Sequence, residues 1–139
     1  MGYYVDYNTD NVTINNCPEA LAAVNALHTS DMLESHASGG SWSAGKVNQR
    51  WYSWVSNPPE GGFQTLEKAM RAWRFSLDDD NLFHFIGEKL GDEEVLFNAL
   101  APYLEGEIYA RGEDGAEWGF KFHNGKMISL ECIRTWVER

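Results

Sequence analysis

From Glu105 to Trp136, apolar and polar residues alternate with period two in three runs: E-G-E-I-Y-A-R, A-E-W-G-F-K-F and K-M-I-S-L-E-C-I. The runs are joined by G-E-D-G and H-N-G. Period-two alternation sends successive side chains to opposite faces of a strand, and the glycine-containing joins suit tight hairpins, so this stretch predicts a three-stranded antiparallel meander. On its middle strand Trp118, Phe120 and Phe122 share the core face, and Glu117, Gly119 and Lys121 the wet one. Cys132 alternates in phase with Ile128 and Leu130, which reads as a small core residue.

Upstream, Tyr3, Val5 and Tyr7 alternate in one run and Val12 and Ile14 in another, with N-T-D-N between them as a turn. This predicts two short strands. Pro18 suits a first helical position with Cys17 or Asn16 as cap, and Leu21, Val24 and Leu27 follow at helical spacing, giving a helix from Pro18 to Leu33. Residues 35–62 are rich in Gly, Ser, Pro and Trp, and read as a loop region holding one short extended segment at W-Y-S-W-V. A second helix runs from Phe63 to Arg74 with Thr65 as cap. F-S-L and L-F-H-F-I then form a hairpin around D-D-D-N, with His84 half-buried opposite Phe83 and Phe85. Asp92 caps a third helix, with Glu93 and Glu94 where the helix dipole favours acids, and Pro102 ends it. The fold class is therefore α+β: a largely antiparallel sheet with a C-terminal three-stranded meander and about three helices packed on one side.

A chain of 139 residues, 43% hydrophobic and 14% aromatic, suits a single globular domain over 1–139. The start, M-G-Y-Y-V-D-Y-N, lacks the basic flank and apolar run of a secretory signal, no apolar window approaches membrane-spanning length, and Asp6 stands where a myristoylation signal wants Ser or Thr. A cytoplasmic protein with no membrane partner is the expectation. Cys17 and Cys132 have neither C-x-x-C spacing nor a nearby histidine, and D-D-D-N lacks spaced calcium ligands, so no metal and no cofactor is implied.

Charge adds a possible partner. Between Asp78 and Glu117 stand twelve acids and two bases, an excess equal to the whole formal net charge of -10. Such a segment repels nucleic acid and anionic membranes and favours a basic host or phage protein. The partner-binding candidates are Asp78, Asp79, Asp80, Glu107, Glu113, Asp114 and Glu117. Trp42, Trp51 and Trp54 offer an alternative, a small-ligand site where indoles stack a planar or cationic group. A weaker alternative is a hydrolase using Glu113, Asp114 and Glu117 with His84, His123 or Lys121. Against it, Gly112-Glu113-Asp114-Gly115 has the composition of a plain hairpin turn. The last strand, running into I-R-T-W-V, leaves homodimerisation through a sheet edge open.

G-E-K-L-G-D (Gly87 to Asp92), L-F-N-A-L-A-P (Leu96 to Pro102) and G-E-D-G-A-E-W (Gly112 to Trp118), preceded by S-W-V (Ser53 to Val55) and T-L-x-x-A (Thr65 to Ala69), resemble motifs of a family of small proteins carried by bacteriophages, prophages, plasmids and their hosts. The resemblance spans roughly Trp51 to Phe122. It implies a phage or mobile-element setting and supplies no activity, cofactor or catalytic residue. Joined to the charge layout, it gives the expectation of a non-catalytic interaction protein, an acidic inhibitor or decoy of a basic nucleic-acid-handling or defence protein of the host.

Overall fold

A computed structural model describes residues 3–43 and 46–139; the side chains of residues 42–49 lie outside the description. In chain order the elements are β1 (Val5–Ile14), α1 (Pro18–Ala26), α2 (Ser30–His36), β2 (Gly39–Ser43), β3 (Lys46–Trp51), α3 (Leu66–Ala72), β4 (Phe75–Leu77), β5 (Phe83–Phe85), α4 (Glu93–Leu100), β6 (Leu104–Gly112), β7 (Glu117–His123) and β8 (Lys126–Glu131). The fold is α+β. The expected meander is β6–β7–β8, and β1 joins it to make an antiparallel sheet of order β1-β6-β7-β8.

One face of that sheet is core. Tyr7, Ile108, Ala110, Phe120 and Phe122 are buried there, and the ring of Phe97 on α4 packs against Tyr7, Phe120 and Phe122. Large aromatic rings in edge-to-face contact supply much of the burial energy of a domain this size. The other face carries Asp6, Tyr109, Arg111, Lys121 and Ile128, all exposed.

Five local expectations are corrected. The N-terminal pair of strands is a single ten-residue β1. Its N-T-D-N stretch forms a bulge between Asn8 and Asn11, where the Asn8 side chain accepts a hydrogen bond from Asp10 N at 3.0 Å and the Thr9 hydroxyl donates to the Phe83 carbonyl. The turn chemistry is real, but it spends itself on a kink within one strand. The long first helix is broken at Leu27–Thr29, because Thr29 caps α2 by accepting from Met32 N. Within residues 35–62, Gly39–Ser43 pairs with Lys46–Trp51 as a second small hairpin, since a paired neighbour satisfies the backbone of a Gly/Ser-rich strand. Finally, His84 and Cys132 are exposed. Met127, Ser129 and Glu131 pair with Phe122, Phe120 and Trp118 on the core face, so Ile128, Leu130 and Cys132 project from the outer one.

The histidine that is half-buried in aromatic surroundings is His28. It stacks edge-on against Tyr52, Phe63 and Trp73, and its Nε2 accepts from Trp73 Nε1 at 3.3 Å. Burial lowers its pKa below the usual imidazole value. The folded state therefore binds this proton less readily than the unfolded chain, so the stability tied to neutral His28 is complete above about pH 6.5 and is lost as pH falls below it. We expect the melting temperature of a His28→Gln variant to gain on the wild type as pH is lowered from about 7.5 to 5.5 in a thermal-melt series. A constant difference across that range would remove His28 from the account.

Candidate functional site

The seven carboxylates expected to form one partner face are spread along the sheet, with Glu107 inside β6 and the others toward its two ends. Asp78, Asp79 and Asp80 sit in the β4–β5 turn, whose Asn81 carbonyl accepts from Ile14 N at 3.1 Å and so docks the turn at the C-terminal end of β1. Glu113 and Asp114 sit in the β6–β7 turn, beside Tyr3 and Tyr4 at the N-terminal end of β1. The length of β1 separates the two groups by about 30 Å. The residues are contiguous in sequence but are not one surface.

Most of these groups are also satisfied internally. Asp78 Oδ1 accepts from Asp80 N and Leu82 N, both at 3.0 Å, and its other oxygen lies 3.6 Å from His84 Nε2. Glu113 accepts from Tyr4 N at 3.1 Å, and Asp114 accepts from the Tyr3 hydroxyl and from Ala116 N. Glu107 accepts from the Tyr109 hydroxyl. Glu117 lies 3.1 Å from Arg134 and 3.6 Å from Arg111. Asp79 and Asp80 are different, and so is Glu105, a residue outside the seven: all three are exposed, and none of the described residues gives their side chains a hydrogen bond or an ion pair. Asp80 and Glu105 line the same cleft of about 440 Å³, with Thr13, Asn15, Asn81 and Tyr103.

Acid–base chemistry finds little support at the β6–β7 turn. The Tyr3 hydroxyl, followed by the Ala116 amide, holds the Asp114 pKa below the usual carboxylate range, and Arg134 does the same for Glu117. Both stay ionised at neutral pH, so neither is a proton donor. His84 is on β5, His123 is at the opposite end of β7 from Glu117, and Lys121 pairs across to Glu107. The carboxyl whose pKa is raised is Glu93, pushed up by burial beneath the sheet. The nearby Tyr7 hydroxyl is buried without a hydrogen-bond partner among the described residues, and its pKa is raised by that burial first and by the Glu93 charge second. The helix dipole explains an acid at position 93 but not its burial; the signal for that is the helical spacing of Glu93 from Leu96, Phe97 and Leu100, all buried.

The tryptophans do not converge. Trp42 and Trp51 occupy opposite ends of the β2–β3 hairpin, and the Trp42 side chain lies outside the described residues. Trp54, 44% exposed, has the unusual φ of 67° for a bulky side chain, held by a 2.7 Å hydrogen bond from Arg74 Nε to its carbonyl; Arg74 is itself at φ 72°. The Lys89 ammonium lies 5.0 Å from the Trp54 ring and 4.6 Å from the Tyr4 ring, so the cation between these aromatics is the chain's own. Tyr4, Trp54 and Lys89 come from three remote segments, and no local pattern in the sequence announces their meeting.

Among the described residues no group of three His, Cys, Asp or Glu side chains is placed to hold a metal ion, and no helix is long and apolar enough to cross a membrane. Compared with protein-family models, curated proteins and solved structures, the chain matches none.

Proposed function

We propose that this is a non-catalytic interaction protein of a phage or mobile element, an acidic inhibitor or decoy for a basic, nucleic-acid-handling or defence protein of the host cytoplasm. The observation that carries the reading is the acidic pole at the β4–β5 turn, where Asp79, Asp80 and Glu105 remain exposed and unneutralised while the other candidate carboxylates are held by tyrosines, arginines or backbone amides. Unpaired surface carboxylates cost the fold little and present a field that a lysine- or arginine-lined phosphate groove complements; such charge speeds encounter and sets register. The setting rests on the resemblance of the sequence motifs to those of phage- and plasmid-carried proteins. The small-ligand alternative has less support, because Lys89 fills the space between Tyr4 and Trp54.

The test is capture of host proteins from lysate by wild type and by the triple variant Asp79→Lys/Asp80→Lys/Glu105→Lys. A nucleic-acid-binding protein should be retained at about 0.05 M salt and released at about 0.5 M, where the Debye length is only a few ångströms. The triple variant should capture at least about tenfold less at an unchanged melting temperature, since exposed carboxylates without partners add almost nothing to stability. Equal capture by wild type and variant would sink the proposal.

A further inference from the structure

The two edges of the four-stranded sheet are treated differently. Along β1, Val5 N donates to the Glu88 carbonyl at 2.9 Å, Ile14 N to the Asn81 carbonyl, and Thr9 to the Phe83 carbonyl, so the 81–89 segment closes that edge. The other edge is β8, which has β7 as its neighbour and no strand beyond it among the described residues. An edge that is neither charged throughout, nor bulged, nor covered is a template for another strand.

The register of β8 decides which groups it offers. The β7–β8 turn is Asn124-Gly125, with φ 53° and 77°, the two positive values of a two-residue type I′ hairpin. In such a hairpin the flanking residues, here His123 and Lys126, form a hydrogen-bonded pair, and pairs alternate along the ladder. Lys126, Ile128 and Leu130 therefore bond to β7, and the N–H and C=O groups of Met127, Ser129 and Glu131 point away from the sheet. Among the described residues no backbone hydrogen bond reaches these groups from the chain beyond Glu131, where Arg134 Nη2 turns back to the Gly115 carbonyl at 3.4 Å and to Glu117.

We propose that β8 pairs antiparallel with β8 of a second copy about a twofold axis through Ser129, joining two four-stranded sheets into one of eight. This register is self-complementary. It sets Ser129 opposite Ser129 of the other copy in a hydrogen-bonded pair, and Met127 opposite Glu131. On the outer face Ile128, 51% exposed, meets Leu130 of the second copy, and the apolar row continues across Gly119 to Tyr109. On the same face Lys126 lies opposite Cys132 of the second copy, at each end of the junction. Shifting the register by one residue would set outer-face side chains against core-face ones, which an antiparallel pair about this axis does not allow. Two six-residue strands are about 20 Å long and bury less than the roughly 800 Å² per partner of a standard interface, so the dimer is weak, with a dissociation constant in the micromolar range.

Sedimentation velocity of the full chain from about 5 to 500 µM tests the proposal, since that range brackets a micromolar constant. Ser129→Pro deletes one outward N–H at the axis without touching the β7–β8 ladder, a position where an edge strand tolerates proline. Ile128→Lys, on an exposed site next to Lys121, is the second variant, and it decides the matter if the proline variant does not fold. The wild type should pass from monomer to dimer, and each folded variant should raise the dissociation constant at least tenfold. A wild type that stays monomeric at the top concentration overturns the proposal, as does a dimer that both folded variants leave unchanged.

Discussion

Alanine at Gly106 is expected to remove most of the stability of this fold, about 4 kcal/mol or more of the 5 to 15 that a domain of this size holds. Gly106 lies in the middle of the sheet, paired with Val12 on β1 and with Phe122 on β7. Its φ of 113° belongs to a region that side chains rarely adopt, and a Cβ there would stand 1.9 Å from the carbonyl oxygen of Asn11. That oxygen belongs to the backbone of a strand, so it cannot swing aside as a side chain would. It comes so close because the β1 bulge ends at Asn11, and the strand re-enters its ladder with Gly106 beneath it. Gly61→Ala is the control: its φ is 86°, but nothing lies within 4 Å of the added carbon, so it carries the conformational strain alone, about 1 kcal/mol. Urea denaturation should separate the two variants by several kcal/mol. If Gly106→Ala costs no more than Gly61→Ala, the close approach of β1 and β6 described here is wrong.

The same residues show what the sequence could and could not convey. Strand alternation from Leu104 to Glu131 is a local signal with two glycine turns to punctuate it, so the meander was legible, as were Thr65 as a cap and the aspartate turn of β4–β5. The bulge in β1 was not, because N-T-D-N has the same chemistry whether the chain reverses or merely kinks, and the choice is made by β6, nearly a hundred residues away. For Cys132 the alternation was read correctly but assigned to the wrong face, since period two fixes which residues share a side and leaves the choice of side to the neighbouring strand. The candidate site suffered most. Net charge is a sum over sequence, and it could not reveal that Tyr3, Tyr4 and Arg134 come back to hold Asp114, Glu113 and Glu117, leaving Asp79 and Asp80 as the candidates without a partner. Each of those contacts is long-range in the chain, which is the information that periodicity and composition lack.

Asp92 extends this lesson to a measurable energy. Its place before α4 made it an expected helix cap, worth about 1 kcal/mol. It does occupy the N-cap position, but its side chain makes no capping hydrogen bond. The carboxylate, in a residue only 8% exposed, instead accepts from Ser38 N at 3.3 Å, Ser38 Oγ at 2.9 Å and Ser53 N at 2.9 Å. Ser38 precedes β2 and Ser53 follows β3, so one oxygen ties both ends of that hairpin to the start of α4. Asp92→Ala would strand two backbone N–H groups that were paired with a charge, a loss of about 2 to 4 kcal/mol, and Asp92→Asn, which keeps an acceptor without the charge, should recover about half of it. The damage should also be local in kind: hydrogen exchange in β2 and β3 should speed up before the amides of β6 and β7 do, because the hairpin loses its anchor while the large sheet keeps its ladder. A cap would behave otherwise, with a cost near 1 kcal/mol, little difference between Asn and Asp, and faster exchange confined to the first turn of α4. Whichever pattern the exchange map shows identifies what Asp92 holds, and the structure commits it to the hairpin.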